Sequence, residues 1–204
     1  MQPKNRLNED ETKVNANIDR VRSRGFRLRD DHITLSHGAG GKASAALTAH
    51  VFQEAFGNPE GDAAIAEVTG TRVALSTDSY VVNPIFFPGG SIGDLAVNGT
   101  VNDLAMMGAT HPVITASFIL EEGLDIETLH TVVADMKAAA DAAGVTIIAG
   151  DTKVVPRGAC DKLFVNTTGV GVIRADLELG AHGARPGDVV IVSGTIGDHG
   201  ATIM

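Results

Sequence analysis

Residues 113–155 read VITASFILEEGLDIETLHTVVADMKAAADAAGVTIIAGDTKVV, and the fold turns on this stretch. Residues 113–120 combine apolar, β-branched and aromatic side chains, as a strand does. Asp125 then stands where a helix N-cap belongs. Leu129, Val132, Val133, Met136 and Ala140 recur at helical spacing until Gly144 ends the run. Residues 145–149 are a short, fully apolar strand that delivers Gly150 and Asp151 at its end. Downstream, 163–173 is a longer strand pattern carrying Gly169 and Gly171. Strands and helices alternate, yet the strand lengths and glycine bends predict an α+β fold rather than a Rossmann sheet.

Upstream, residues 73–82 read as a strand interrupted by the polar STDS segment, a pattern that marks a site more often than a packing need. Ser91 can cap a helix over 92–108, with Leu95, Val101, Leu104 and Met106 as its apolar surface. Asp94, Asn98 and Asn102 recur every fourth residue on that helix and so share one face. Gly93, Gly99 and the two Asn residues lower helix propensity by up to about 1 kcal/mol each relative to Ala. A merely solvated face would use Glu, Lys and Gln, so the stripe is read as functional. Nearer the N-terminus, HGAGGK at 37–42 is a glycine-rich turn opening a helix over 43–56, with Leu47, Val51, Phe52 and Ala55 on its buried side.

Residues 33–175 read as one domain, 176–186 as a linker, and 187 onward as the start of another unit. Residues 189–193 have an apolar strand pattern, 194–200 are a glycine-rich turn, and 201–204 are an apolar half-turn without a cap. We read the chain as part of something longer, with the 189–193 strand lacking its sheet and presenting an association-prone edge. Residues 1–32 are a basic extension, with Arg20, Arg22, Arg24, Arg27 and Arg29 among its cations, expected to be solvated and poorly ordered.

Composition sets the limits. The chain has 204 residues, 44% of them hydrophobic, which is ample for a core, and a formal net charge of −9. That charge argues against duplex nucleic acid or an anionic membrane as the main partner. No apolar run reaches the roughly 20 residues of a membrane span. Cys160 stands alone, which excludes an internal disulfide and fits a reducing, cytoplasmic setting.

Three acids on three separate elements carry the chemistry: Asp78, Asp103 and Asp151. Carboxylates gathered this way suit Mg²⁺, a hard cation that shares oxygen ligands with substrate phosphates. The glycine-rich turn suits the phosphates through free backbone N–H groups. Together they predict an ATP site. The turn is not a Walker A loop, whose spacing is longer. His37 is left open between ligand contact and structural residue. In GDTKVV (150–155) the extended geometry points Asp151 and Lys153 the same way, and the flanking Ile147, Ile148 and Val154 suggest a buried setting rather than a surface ion pair. Cys160 lies between Arg157 and Lys162, where a lowered pKa is conceivable, but no base is spaced to activate it and it is read as structural. No HExxH or GxSxG pattern occurs, so zinc and serine-hydrolase chemistry have no support.

AVNGTVNDLAMMGA (96–109) resembles a helix of the ATP-binding superfamily that includes aminoimidazole ribonucleotide synthetase, selenophosphate synthetase and thiamine monophosphate kinase. HGAGG (37–41), TDSYVVNPIFFPGG (77–90), FILEEGL (118–124), GDTKVVPRGACDKLFVNTTGVG (150–171) and VSGTIGDHG (192–200) together resemble the HypE family of hydrogenase maturation factors. The resemblance spans 33–204, and its most specific part begins at GDTKVV. It implies an N-terminal α+β ATP-binding domain that forms a homodimer through its sheet, with a second α/β domain closing over ATP. It implies a reaction in which a carbamoylated C-terminal cysteine is dehydrated to a thiocyanate at the expense of ATP. The cyanide then goes toward the iron of [NiFe]-hydrogenase. The implied partners are a HypF-type carbamoyltransferase as donor and the HypC–HypD complex as acceptor.

By residue-wise match, Asp78, Asp103 and Asp151 would hold Mg²⁺-ATP with support from Asn102. Gly38, Gly40 and Gly41 would meet phosphates, and Lys153 would face the reacting group. The family's terminal cysteine has no counterpart here, and Cys160 does not occupy its place. The chain is therefore read as the nucleotide-binding, dimerising part of such an enzyme, inactive by itself. The rivals are a kinase or synthetase of the same superfamily, against which GDTKVV argues, and a non-catalytic dimerisation or docking module.

Overall fold

The structure is a computed structural model that describes residues 27–28, 30–57, 63–180, 183–198 and 201. Of the basic extension 1–32, residues 1–26 and 29 fall outside the described residues, as do 202–204 of the half-turn 201–204. The chain divides between Pro59 and Glu60 into two compact units, a division inside the 33–175 stretch read from sequence as one domain.

The first unit holds a 3-10 turn, Leu35–Gly38, then α1 (Lys42–Leu47), a π-helical segment (Thr48–Gln53) and α2 (Glu54–Phe56). The helical run is where the pattern put it, but its burial is not. Ala46 is buried, Leu47 is half-buried, and Val51, Phe52 and Ala55 are exposed. A helix buries an apolar stripe only against a second layer, and the described residues of this unit contain no strand.

The second unit is a five-stranded sheet with two helices on one face. Its strands are β1 (Ala64–Val68), β2 (Thr71–Tyr80), β5 (Ala109–Glu121), β6 (Thr146–Val155) and β7 (Leu163–Ile173), in the order β1-β2-β7-β5-β6. β3 (Phe86–Phe87) and β4 (Gly90–Ser91) make a small separate hairpin. Only β5 and β6 pair in parallel; β1–β2, β2–β7 and β7–β5 are antiparallel, so the expected α+β class holds. Thr69 and Gly70, both with positive φ, form the two-residue turn of the β1–β2 hairpin, a geometry that follows the natural strand twist. Pro112 sits where the β5–β7 register shifts, a place that needs no ladder donor.

Helix α3 (Ile92–Met106) begins where Ser91 Oγ accepts the Asp94 N–H. Helix α4 (Ile126–Ala143) begins at Asp125, which accepts the Glu127 N–H, and ends at left-handed Gly144. Both caps match the sequence reading. The core lies between these helices and the sheet: Ile92, Ala96 and Val97 of α3, Val132, Met136 and Ala140 of α4, and Ile114, Leu163 and Val165 of the strands. Val133, expected to be inward, is exposed, and so are Leu95 and Met106 of the apolar surface assigned to α3.

Glycines set how near the layers come. A Cβ at Gly93 would fall 2.3 Å from the Val132 carbonyl oxygen, and one at Gly169 would fall 2.6 Å from Leu104 Cδ1. Gly93 is thus a packing contact between α3 and α4, a reason the stripe argument did not consider.

Residues 187–198 contain no strand, contrary to the pattern at 189–193. Val189, Val190, Ile191 and Val192 are exposed and pair with nothing described. An isolated extended segment has no ladder to hold it.

Gly93→Ala should therefore lower stability by about 1–3 kcal/mol even though Ala is the better helix former. Gly169→Ala should cost less, because its nearest obstacle is a flexible side-chain tip. Thermal denaturation of the two variants checks that order.

Candidate functional site

The predicted site residues fall into three places. The glycine-rich turn lies in the first unit. Gly38, Gly40 and Gly41 each have open space where a Cβ would stand, and Gly40 has φ of 71°. The Gly40 N–H donates to Ser44 Oγ at 2.9 Å. His37 is 6% exposed; its Nδ1 accepts the Thr34 N–H at 3.0 Å, so in the neutral ring the hydrogen sits on Nε2. Nε2 lies 3.4 Å from Asp30 Oδ2 without a well-aligned hydrogen bond.

Asp78 and Asp103 lie on the helix-covered face of the sheet. Asp78 is on β2, where its pairing partner is the buried Thr167 of β7. Asp103 is in the last turns of α3. Ser76, two residues before Asp78 and on the same face, donates to Asp103 Oδ2 at 2.6 Å. Tyr80 donates to Asp78 Oδ2 at 3.1 Å. Each carboxylate thus has one oxygen held by a β2 hydroxyl, while its Oδ1 has no partner among the described residues. Along β2 the two anchoring positions and Asp78 are spaced by about 7 Å per two residues. Asn98 donates to Asp94 Oδ1 at 2.9 Å, tying the polar stripe to the first turn of α3, whereas Asn102 is exposed. Burial, first of all, pushes the Tyr80 phenol above its ordinary value of 10.0; the Thr100 hydroxyl opposes this and the Asp78 charge adds to it.

Asp151 is elsewhere. The row Ser79, Asn166, Ser117, Asp151 runs across the sheet, one position out of phase with Asp78, Thr167, Ala116, Gly150. Asp151 therefore projects from the face opposite Asp78, and three strand spacings put it about 14 Å away across the sheet. The described residues of one chain contain no group of three acidic, His or Cys side chains able to hold a metal. A one-chain, three-carboxylate cluster is therefore corrected to a pair, Asp78 and Asp103, plus a separate acid. That pair still fits Mg²⁺, which takes one or two carboxylates and completes its shell with water and phosphate.

Asp151 and Lys153 do point the same way, and their carboxylate and ammonium meet at 2.8 Å. The expected burial is absent: the side chains are 61% and 69% exposed, and Ile148 and Val154 are exposed beside them. β6 is an edge strand, and an apolar flank on an edge need not be covered. The Lys153 hydrogen bond, foremost, holds the Asp151 carboxyl below its ordinary 3.8. Cys160 shows the opposite of a reactive thiol, its pKa raised by burial and then by Glu121 and Asp161.

Sequence reasoning missed the β2 hydroxyls, although Ser76 and Tyr80 bracket Asp78 at strand spacing. It also passed over a cleft of about 540 Å³ lined by Phe86, Glu121, Leu124, Thr128, Arg157 and Lys162 at the C-terminal ends of β5 and β6. Glu121 accepts the N–H groups of Gly158 and Lys162 there, fixing the loop between β6 and β7.

The second unit thus lays an acid-bearing helix on a mixed sheet, with acids and hydroxyls facing each other between them. Residues 60–173 match the pattern of the AIR synthase related protein, N-terminal domain, and the chain belongs to that family. Within it the likeness is to HypE proteins. The carbamoyl dehydratase HypE of Rhodobacter capsulatus is 55% identical over 185 residues, covering 87% of this chain and 54% of that protein. A crystal structure of the hydrogenase maturation protein HypE in complex with ATP is 56% identical, with a TM-score of 0.51, over 71% of this chain and 44% of that one. The crystal structure of a HypE–HypF complex is 51% identical, with a TM-score of 0.58, over 63% and 42% respectively. The chain thus spans about half the length of the curated relatives it matches.

Lys153→Met should return the Asp151 pKa toward 3.8, read by carboxyl NMR titration. Because the folded value is depressed, the pair's contribution is present above the ordinary carboxylate range. It disappears as pH falls through the folded value, and salt should weaken it because both groups are exposed.

Proposed function

We propose that this chain provides the nucleotide-binding part of a HypE-type carbamoyl dehydratase, active in the cytoplasmic maturation of [NiFe]-hydrogenase. The observation that carries the reading is the pair of carboxylates, Asp78 and Asp103, each pinned at one oxygen by a β2 hydroxyl and open at the other. A magnesium ion held there would neutralise charge on the phosphates of ATP. Gly38, Gly40 and Gly41 form the proposed phosphate-facing turn, since the space where each would carry a Cβ is open and no side chain blocks approach, although the Gly40 N–H is already given to Ser44 Oγ. Asn102, exposed on α3 beside Asp103, supports the acids.

The reaction is ATP-dependent removal of water from a thiocarbamate on a C-terminal cysteine. The amide oxygen is a poor leaving group, and phosphorylating it makes its departure feasible. Such transfer needs positioning and charge neutralisation more than covalent help from the protein. Lys153 projects from the sheet face opposite Asp78, so the reacting group it is proposed to face is that of a second copy packed on that face, with Asp151 orienting it through their ion pair. The carbamoyl donor is a HypF-type carbamoyltransferase and the acceptor is the HypC–HypD complex; the likeness to a chain solved with HypF supports the first of these.

We also propose a homodimer through the sheet face opposite α3 and α4. Among the described residues of the second unit no helix covers that face, and Val68, Leu75, Ile119 and Val172 are exposed on it. Asp151 and Lys153 stand on the same face, so a second copy would supply their surroundings.

Asp78→Asn and Asp103→Asn should each abolish Mg²⁺-dependent ATP binding measured by calorimetry, with unchanged circular dichroism. Unaltered affinity in both would sink the nucleotide reading. Val170→Lys, which places a charge in the middle of the open face, should shift sedimentation from dimer to monomer.

A further inference from the structure

Tyr80 is the only tyrosine in the chain, which has no tryptophan, and its hydroxyl ends a directed chain of hydrogen bonds. Thr167 Oγ1 donates its one hydrogen to the Ala96 carbonyl of α3 at 2.8 Å. Thr100 Oγ1, 2.6 Å from Thr167 Oγ1, must then be the donor of that contact. With its hydrogen spent, Thr100 can only accept from Tyr80, at 3.5 Å. Asp78 Oδ2 accepts from the phenol at 3.1 Å. The phenol thus has one hydrogen and two acceptors, and the carboxylate of Asp78, charge-assisted and at 3.1 Å, takes it ahead of Thr100 at 3.5 Å.

Two further contacts fix the arrangement. A Cβ at Gly99 would fall 2.2 Å from the Tyr80 oxygen, so a glycine there leaves the phenol its place. From the other face of the sheet, Asn166 Nδ2 donates to the Asp78 backbone carbonyl at 2.9 Å. Asp78 is thus held at its backbone and at Oδ2, with only Oδ1 free.

We propose that Tyr80 is a positioning residue that aims Asp78 Oδ1 at the cation, and that it optically reports the cation's arrival. This rests on the cation-binding reading of Asp78 given above. Outer partners of ligating carboxylates commonly govern metal affinity by about 10–100-fold. A phenol bonded to a free carboxylate fluoresces weakly, because the excited phenol shifts its proton toward the acceptor. A carboxylate engaged by Mg²⁺ is a poorer proton acceptor, so emission should rise.

The test titrates Mg²⁺ alone into the chain, following tyrosine emission at neutral pH and binding heat. Emission of the parent protein should rise on titration. Asp78→Asn should be bright from the start and unresponsive. Tyr80→Phe should bind Mg²⁺ about 10-fold or more weakly while melting like the parent. Gly99→Ala, which displaces the phenol but keeps it, should brighten the free protein and weaken Mg²⁺ similarly; it decides the matter if Tyr80→Phe does not fold. Parent-like Mg²⁺ affinity in Tyr80→Phe, or in Gly99→Ala when only that variant folds, would overturn the inference, as would parent emission indifferent to Mg²⁺. Parent-like affinity in Asp78→Asn would instead overturn the cation reading itself.

Discussion

Everything in the second unit depends on how closely α3 lies against its neighbours. At Gly93 the helix touches the backbone of α4, at Gly99 the Tyr80 ring, and at Gly169 a strand residue lets Leu104 and Thr100 come in. Protein interiors pack densely enough that one methyl group at such a contact is felt. The short separation has a chemical consequence as well as a packing one. Only because α3 is that near can the side chains of Thr100 and Asp103 reach hydroxyls on β7 and β2 at 2.6 Å. The polar seam between helix and sheet exists because the apolar seam is tight.

That seam holds polar groups where burial is costly unless hydrogen bonds compensate. Thr100 and Thr167 are fully buried, and each hydroxyl is matched. The sequence proceeds from matched interior hydroxyls to half-exposed carboxylates, so polarity is led out of the core toward solvent. A carboxylate placed at the end of such a line is oriented without being fully consumed.

Much of this was legible in the sequence, and the exceptions share a cause. Helix α4 could be read because its caps, Asp125 and Gly144, and its 3.6-residue stripe are local. Strand β7 and the Ser91 cap were legible for the same reason. What failed was relational. Which face Asp151 takes depends on the register of β6 against β5, and a shift of one residue reverses the face. The register does shift, between Ile114 and Thr115, and no local signal announces it. The exposure of Ile148 and Val154 follows from β6 being an edge, a property of strand order. Gly93 and Gly99 looked like functional anomalies because the atoms that require them, the Val132 carbonyl and the Tyr80 phenol, lie elsewhere in the chain. Residues 189–192 have strand chemistry but no described neighbour.

The strand order has a temporal side. β7 is the middle strand of the five, yet it is the last of them to leave the ribosome. Until it arrives, the β1–β2 hairpin and the β5-α4-β6 unit are two half-sheets with open edges and nothing to join them. β7 closes both gaps at once, pairing Val73 with Val172 on one side and Thr110 with Val172 on the other. Such long-range closure is slow compared with helix formation and leaves hydrophobic edges waiting. A nascent chain of this protein therefore spends its most vulnerable interval just before residue 173, when nearly all of the sheet has been made and none of it is yet whole.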